Sequence, residues 1–201
     1  MDFCVANTSA TDLSALSRIL FARDERRMKV EELYIQFRTP VLVLTLNIPG
    51  SQKIPSWAAD LLRAGQYAIN DRFLGYKVLH DVERIAGAGW EWYAVIDVEP
   101  WSMKSICIDI EEEHPLGRLF DIDVHTREGI LSRSQLGAQP RRCLICENDA
   151  RICSRRAAHS LTEILEREQS MVAAYLKTSS PLQRPGRLHR GGDPIPRRLP
   201  L

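Results

Sequence analysis

Between Phe120 and Val124 the chain reads Phe-Asp-Ile-Asp-Val, with apolar and acidic residues in strict alternation. A period of two belongs to an extended strand, whose successive side chains leave opposite faces. Phe120, Ile122 and Val124 then anchor one face in a core, while Asp121 and Asp123 leave the other face together. Like charges so close repel, so a sheet that accommodates them must compensate the pair or leave it in water.

Other segments carry strand or helix signals. Val41 to Leu46 is an apolar run closed by Pro49-Gly50. Trp90 to Val98, Ser105 to Glu111 and Phe120 to His125 are rich in β-branched or aromatic residues, and Thr126-Arg-Glu-Gly129 can turn the last of them into Ile130 to Ser132. Helical spacing marks Thr11 to Phe21, with Leu13, Leu16, Ile19 and Leu20 on its inner face, and extends through the charged Arg23 to Arg27 toward Leu33. A second helix is expected over Ser56 to Phe73. A third follows the capping signature Ser160-Leu-Thr-Glu163 and carries Leu161, Ile164, Leu165, Val172, Tyr175 and Leu176. Helices and strands mix without a regular βαβ rhythm. The expectation is one α+β domain over residues 1–177, with a mixed, mostly antiparallel sheet and flanking helices. Residues 178–201 are rich in Pro, Gly and Arg and read as a flexible basic tail.

The chain has 201 residues, and its 27 Lys+Arg against 26 Asp+Glu leave a net charge of +1. No global field draws it to nucleic acid or membrane, so any anionic ligand must be met by local clusters. No apolar run is long enough to span a bilayer, and Asp2 precedes any positive charge, unlike a secretory leader. Five cysteines, three of them crowded at Cys143, Cys146 and Cys153, suggest reduced thiols or a metal site. A cytosolic protein is expected.

The densest chemistry surrounds the acidic pair. Mg²⁺ takes one or two carboxylates together with substrate phosphates, which would resolve the repulsion between Asp121 and Asp123. A solvated sheet edge is the plainer alternative. Gly117 would let the backbone approach a ligand, and Arg118 offers donors matched to phosphate oxygens. Glu111, on an expected neighbouring strand, could add a third metal ligand. These parts describe metal-assisted phosphoryl or nucleotidyl transfer. His114 could contact a phosphate or act as a base, or could simply close a turn before Pro115. Cys143-x2-Cys146-x6-Cys153-x5-His159 offers three thiolates and an imidazole, enough for a structural Zn²⁺; buried, reduced core cysteines are the alternative.

His114-Pro-Leu-Gly-Arg-Leu-Phe-Asp-Ile-Asp-Val124 closely resembles the signature of the citrate lyase holo-acyl-carrier-protein synthases, also called apo-citrate lyase phosphoribosyl-dephospho-CoA transferases. Ala22-Arg-Asp-Glu-Arg26, Ile130-Leu-Ser-Arg133 and Pro140-Arg-Arg-Cys-Leu-Ile-Cys-Glu147, with Cys153 and His159, fit the same family in the same order. The resemblance implies a nucleotidyltransferase-like fold. It also implies transfer of the 2'-(5''-phosphoribosyl)-3'-dephospho-CoA group from its triphosphate precursor to a serine of the citrate lyase acyl-carrier (gamma) subunit, with release of pyrophosphate. Asp121 and Asp123 would hold Mg²⁺, Arg118 would contact phosphate, and Arg23 and Arg26 would face the pyrophosphate end. Without the resemblance, Arg23 to Arg26 would read as a solvated, salt-bridged helix turn. Two rival readings stay open: the same transfer to a malonate decarboxylase carrier, and a zinc-stabilised protein-binding module.

Overall fold

The computed structural model describes residues 10–146 and 148–179. Its elements in chain order are α1 (Ala10–Phe37), β1 (Val41–Leu46), α2 (Ala58–Arg72), β2 (Lys77–Ala86), β3 (Gly89–Asp97) and α3 (Pro100–Glu113). After a 3₁₀ turn at Gly117–Leu119 come β4 (Phe120–Thr126), β5 (Gly129–Ile130), a second 3₁₀ turn at Arg133–Leu136, α4 (Ala150–Arg156) and α5 (Leu161–Thr178). The five strands form an open sheet in the order β2-β3-β1-β4-β5, and every neighbouring pair is antiparallel. The fold is α+β, as expected, without the parallel pairs that a mixed sheet would contain. All but the first two residues of the expected tail lie outside the described residues.

The alternation in β4 sorts the two sheet faces. Phe120, Ile122 and Val124 join Leu42, Leu44, Trp92, Ala94 and Ile96 in the main core, under α2, α3 and Val172 of α5. Gly65 seats α2 there, because a Cβ would stand 2.8 Å from the Leu44 side chain. On the opposite face Val41, Val43, Tyr93 and Val95 pack against Val30 and Leu33 of α1. The pairs Thr45↔Asp121 and Val43↔Asp123 put both carboxylates on this second face.

Two sequence expectations are corrected, and one strand was not expected at all. Ser105 to Glu111 is not a strand but the body of α3. Glu99 caps this helix by accepting a hydrogen bond from the Ser102 amide at 2.8 Å, Pro100 occupies its first turn, and Met103, Cys107 and Ile110 bury one helical stripe. The three isoleucines at alternate positions imitate a strand only locally. In α1, Leu16 and Leu20 are 52% and 50% exposed, and Ala22, Val30 and Leu33 are buried instead, because only the later turns of this helix cross the sheet. Strand β2 carries no strong apolar run and has no counterpart in the sequence expectations. At the start of α5 the expected cap is present: the Glu163 amide donates to Ser160 Oγ at 3.1 Å.

Glu168 in α5 is 2% exposed, and its Oε2 has no hydrogen-bond partner among the described residues. Burial pushes its carboxyl up to about 7 from an ordinary 4.5, and the Lys53 charge offsets part of that rise. The unfolded chain therefore ionises this group before the folded one does, and stability falls as pH climbs from about 4.5 to 7. Glu168→Gln is expected to raise the unfolding free energy at pH 8 by on the order of 2–3 kcal/mol and to change little at pH 4. Urea melts at the two pH values measure this.

Candidate active site

Asp121, Asp123 and His125 leave β4 on the α1 face in consecutive alternate positions. Asp123 and His125 line a cleft of about 690 Å³ between α1 and the β4–β5 edge. The cleft wall carries five arginines: Arg23, Arg26, Arg27, Arg38 and Arg127. Against them stand only Glu31 and Asp123 as acids. Burial and then the Asp121 charge push the Asp123 carboxyl up to about 6, with Lys104 and Arg26 pulling the other way. Asp121 is half exposed; it accepts from Thr45 Oγ1 at 3.4 Å and lies 3.5 Å from the Arg141 guanidinium. Two crowded carboxylates, one of them destabilised as an anion by the other, are a donor set that suits a hard divalent cation. His125 is held neutral, its imidazole pushed down to about 4 by burial, and its Nε2 has no partner among the described residues.

Glu91 holds α1 against this face. It is fully buried in β3, on the row that runs through Thr45 to Asp121. Arg26 donates to its Oε1 at 2.9 Å, and Arg84 donates to its Oε2 at 2.8 Å. The Tyr93 hydroxyl donates to Oε2 as well and stays protonated far above its ordinary range, through burial first and the carboxylate second. Arg26 is thereby fixed at the cleft, while Arg23 and Arg27 form no ion pair among the described residues. Sequence reasoning passed over Glu91. The signal was an acid between Trp90 and Trp92 in an otherwise apolar strand. His125 was also passed over, although it continues the alternation of the acidic pair.

Several expected site residues gather on the other side of β4. The Glu111 carboxylate accepts the Ile122 amide at 2.9 Å and pairs with Arg133 at 3.1 Å. Lys104 donates to the Ile122 carbonyl at 2.9 Å. Glu111 thus grips the backbone between the two aspartates rather than facing the cleft. Gly117 packs against the end of α3, where a Cβ would stand 2.5 Å from the Glu111 carbonyl oxygen. Arg118 is half-buried beside Arg141 and Arg133, which depress its pKa after burial does. Its Nε has no partner among the described residues. His114 caps α3, accepts the Leu116 amide on Nδ1 at 3.0 Å and lies between the Phe120 and Tyr175 rings. Burial pushes its imidazole down to about 4. It lines a separate pocket of about 300 Å³ with Tyr67, Arg72 and Tyr175, away from the aspartates.

The structure brings Cys143, Cys146, Cys153 and His159 together. One ligand atom from each lies within 4.8 Å of all the others, so a possible Cys₃His metal site is present. Cys107, by contrast, is an isolated buried thiol that burial keeps protonated.

An antiparallel sheet with two carboxylates on one face, Asp123 among them turned to an arginine-lined cleft, makes a site fitted to an anionic ligand. Comparison with known proteins makes this specific. The family model described as apo-citrate lyase phosphoribosyl-dephospho-CoA transferase matches residues 14–175, and the chain belongs to that family. Proteins of that name from Escherichia coli O1:K1 and Shigella boydii serotype 18 are each 32% identical to it over 161 residues. The aligned region covers 79% of this chain and 88% of each relative.

Removing the carboxylate that gathers Arg26, Arg84 and Tyr93 takes the hydrogen-bonded counter-ion from two partly buried cations and a buried hydroxyl. Glu91→Ala is expected to lower the unfolding free energy by about 3–5 kcal/mol, read from urea denaturation at neutral pH.

Proposed function

We propose that this chain transfers the 2'-(5''-phosphoribosyl)-3'-dephospho-CoA group from its triphosphate precursor to a serine hydroxyl of the citrate lyase acyl-carrier subunit. The observation that carries this reading is the surplus of arginines facing Asp123 in a cleft large enough for a polyanionic ligand. Family membership supplies the donor and acceptor classes.

In the reaction a bond forms between the serine Oγ and the α-phosphorus. The bond from that phosphorus to the bridging oxygen breaks, pyrophosphate leaves with the electron pair, and the hydroxyl proton is released. Asp121 and Asp123 would hold Mg²⁺, which when bound supplies positive charge to the phosphate chain and to the departing pyrophosphate. Arg23 and Arg27, free of carboxylate partners among the described residues, are suited to bind the outer phosphates. Arg26 keeps its position through Glu91 and adds positive potential to the cleft floor. Arg118, with an unused donor in a basic cluster near the start of β4, is assigned to a phosphate oxygen. Such preplaced cations need no reorganisation when charge develops in the transition state. Glu111 and Gly117 serve the site through the position of β4, and His114 takes no chemical part. In the same reading the nucleotidyltransferase-like character lies in the site chemistry, the protein works in the cytoplasm, and the Cys₃His cluster holds a structural Zn²⁺.

Incubation of the protein with the triphosphate precursor, Mg²⁺ and apo-carrier is expected to add the prosthetic-group mass to the carrier. Asp121→Asn is expected to lower the turnover rate by about a hundredfold or more with an unchanged circular dichroism spectrum. Labelling at the wild-type rate would remove the acidic pair from the mechanism.

A further inference from the structure

Among the described residues from Ala138 to Ser160 the only regular element is the seven-residue helix α4, and of that helix only Cys153 is buried. Leu144 reaches the main core as a partly buried neighbour. So short a stretch has too little apolar area to hold one conformation unaided, and nature commonly staples such pieces with a metal. The donor set for a staple is present. Three sulfurs and an imidazole nitrogen lie within 4.8 Å of one another, and the Cys146 and Cys153 sulfurs are 3.5 Å apart. Sulfurs about 2.3 Å from a tetrahedral Zn²⁺ stand just under 4 Å apart, so the cluster is close to the required size. His159 Nε2 is buried without a hydrogen-bond partner among the described residues, and the Glu163 carboxylate stands 3.9 Å from Nδ1, beyond hydrogen-bond reach but on the side where an outer carboxylate would steady a metal-binding imidazole.

The knuckle is also tied to the acidic strand. The Cys143 amide donates to the Asn148 carbonyl at 2.7 Å, and the Ala150 amide donates to the Arg141 carbonyl at 2.8 Å. Arg142 and Asp149 form a bridge between the same two stretches. The backbone of Arg141 is therefore pinned to the start of α4, two residues before the first cysteine. Its guanidinium reaches the other way. It donates to the Gly117 carbonyl at 3.2 Å and to the Phe120 carbonyl, and it lies 3.5 Å from Asp121. Arg141 is the link between the thiol cluster and the entrance to β4.

We propose that Cys143, Cys146, Cys153 and His159 bind one Zn²⁺ whose role is to fasten Arg141 onto the Gly117–Asp121 segment, so that Arg141 is a positioning residue for Asp121. This rests on the reading of Asp121 as part of the transfer site. Zinc touches no substrate; its removal releases the knuckle, frees the guanidinium and loosens the start of β4. The metal and the reaction are thus coupled through one side chain.

Zinc content of the purified full-length chain and hydrogen–deuterium exchange test the proposal without recourse to activity. About one zinc per chain is expected, lost in Cys146→Ser and on treatment with a strong chelator. Zinc loss is expected to speed exchange over residues 141–159 and, beyond the knuckle, over residues 117–121, leaving the β2–β3 hairpin unchanged. Arg141→Ala is expected to speed exchange over 117–121 while zinc stays bound. In carrier labelling, chelation and Arg141→Ala are each expected to cost about tenfold or more in turnover, and chelation of Arg141→Ala little beyond that. Zinc added back to the chelated native chain should restore both exchange and labelling, which covers the case in which a cysteine variant does not fold. A metal-free native chain, a Cys146–Cys153 disulfide in its place, or exchange over 117–121 indifferent to zinc would each overturn the proposal. Absence of carrier labelling in the zinc-loaded wild type would instead count against the transfer reaction alone.

Discussion

Ile122 gives both of its backbone groups to side chains of one helix: its amide to Glu111 and its carbonyl to Lys104. Strand β5 pairs with His125 and Thr126, and the Leu131 amide and Arg141 serve the Val124 and Phe120 carbonyls, so without α3 the outer edge at Ile122, between the aspartates, would lack partners. Glu111 and Lys104 lie seven residues apart, two turns along the same helical face, and each is buried. They replace a missing strand. This clamp fixes the register of β4 against β1, and in a strand a slip of one residue would move every side chain to the wrong face. The acidic pair faces α1 because Ile122 is held in this way.

Around that constraint the charges are arranged in two shells. Inside, Glu91 and Glu111 are buried carboxylates answered by Arg26, Arg84 and Arg133 at hydrogen-bond distance. Burying such groups is costly, and full pairing offsets the cost while fixing where helix and strand meet. Outside, Asp123 crowds Asp121, and Arg23, Arg27 and Arg118 lack carboxylate partners among the described residues. In the proposed function, the phosphates and Mg²⁺ of the bound donor would complete the pairing of this unbalanced outer shell. A chain of almost zero net charge thereby concentrates positive potential in one cleft.

The thiol cluster extends this arrangement beyond the sheet. Segment 138–160 adds little to the apolar core, yet it delivers Arg141 to the carbonyl groups at the entrance of β4. Soft sulfur ligands at the cluster and hard carboxylate oxygens at Asp121 and Asp123 suit different metals, so the proposed zinc and magnesium would not compete for one set of ligands. The strand carrying the aspartates is held from α3 on one edge and from the knuckle at its start.

The alternation Phe120 to Val124 was sufficient to place the acidic pair on one face of a strand, and the spacing of Cys143, Cys146, Cys153 and His159 to mark them as a group. Both are local patterns, set by the two-residue strand period and by short loop spans. The helical identity of α3 was not legible in its alternating isoleucines, since a short apolar run satisfies either period and its packing partner decides between them. Long-range pairing alone revealed Glu91 as the hub for Arg26, 65 residues away in the chain, and turned Glu111 from a metal candidate into the grip on Ile122. Sequence settles what a few neighbouring residues can do to the backbone; the partner of a buried charge is chosen by the fold, because only in three dimensions do groups far apart in the chain share one low-dielectric space.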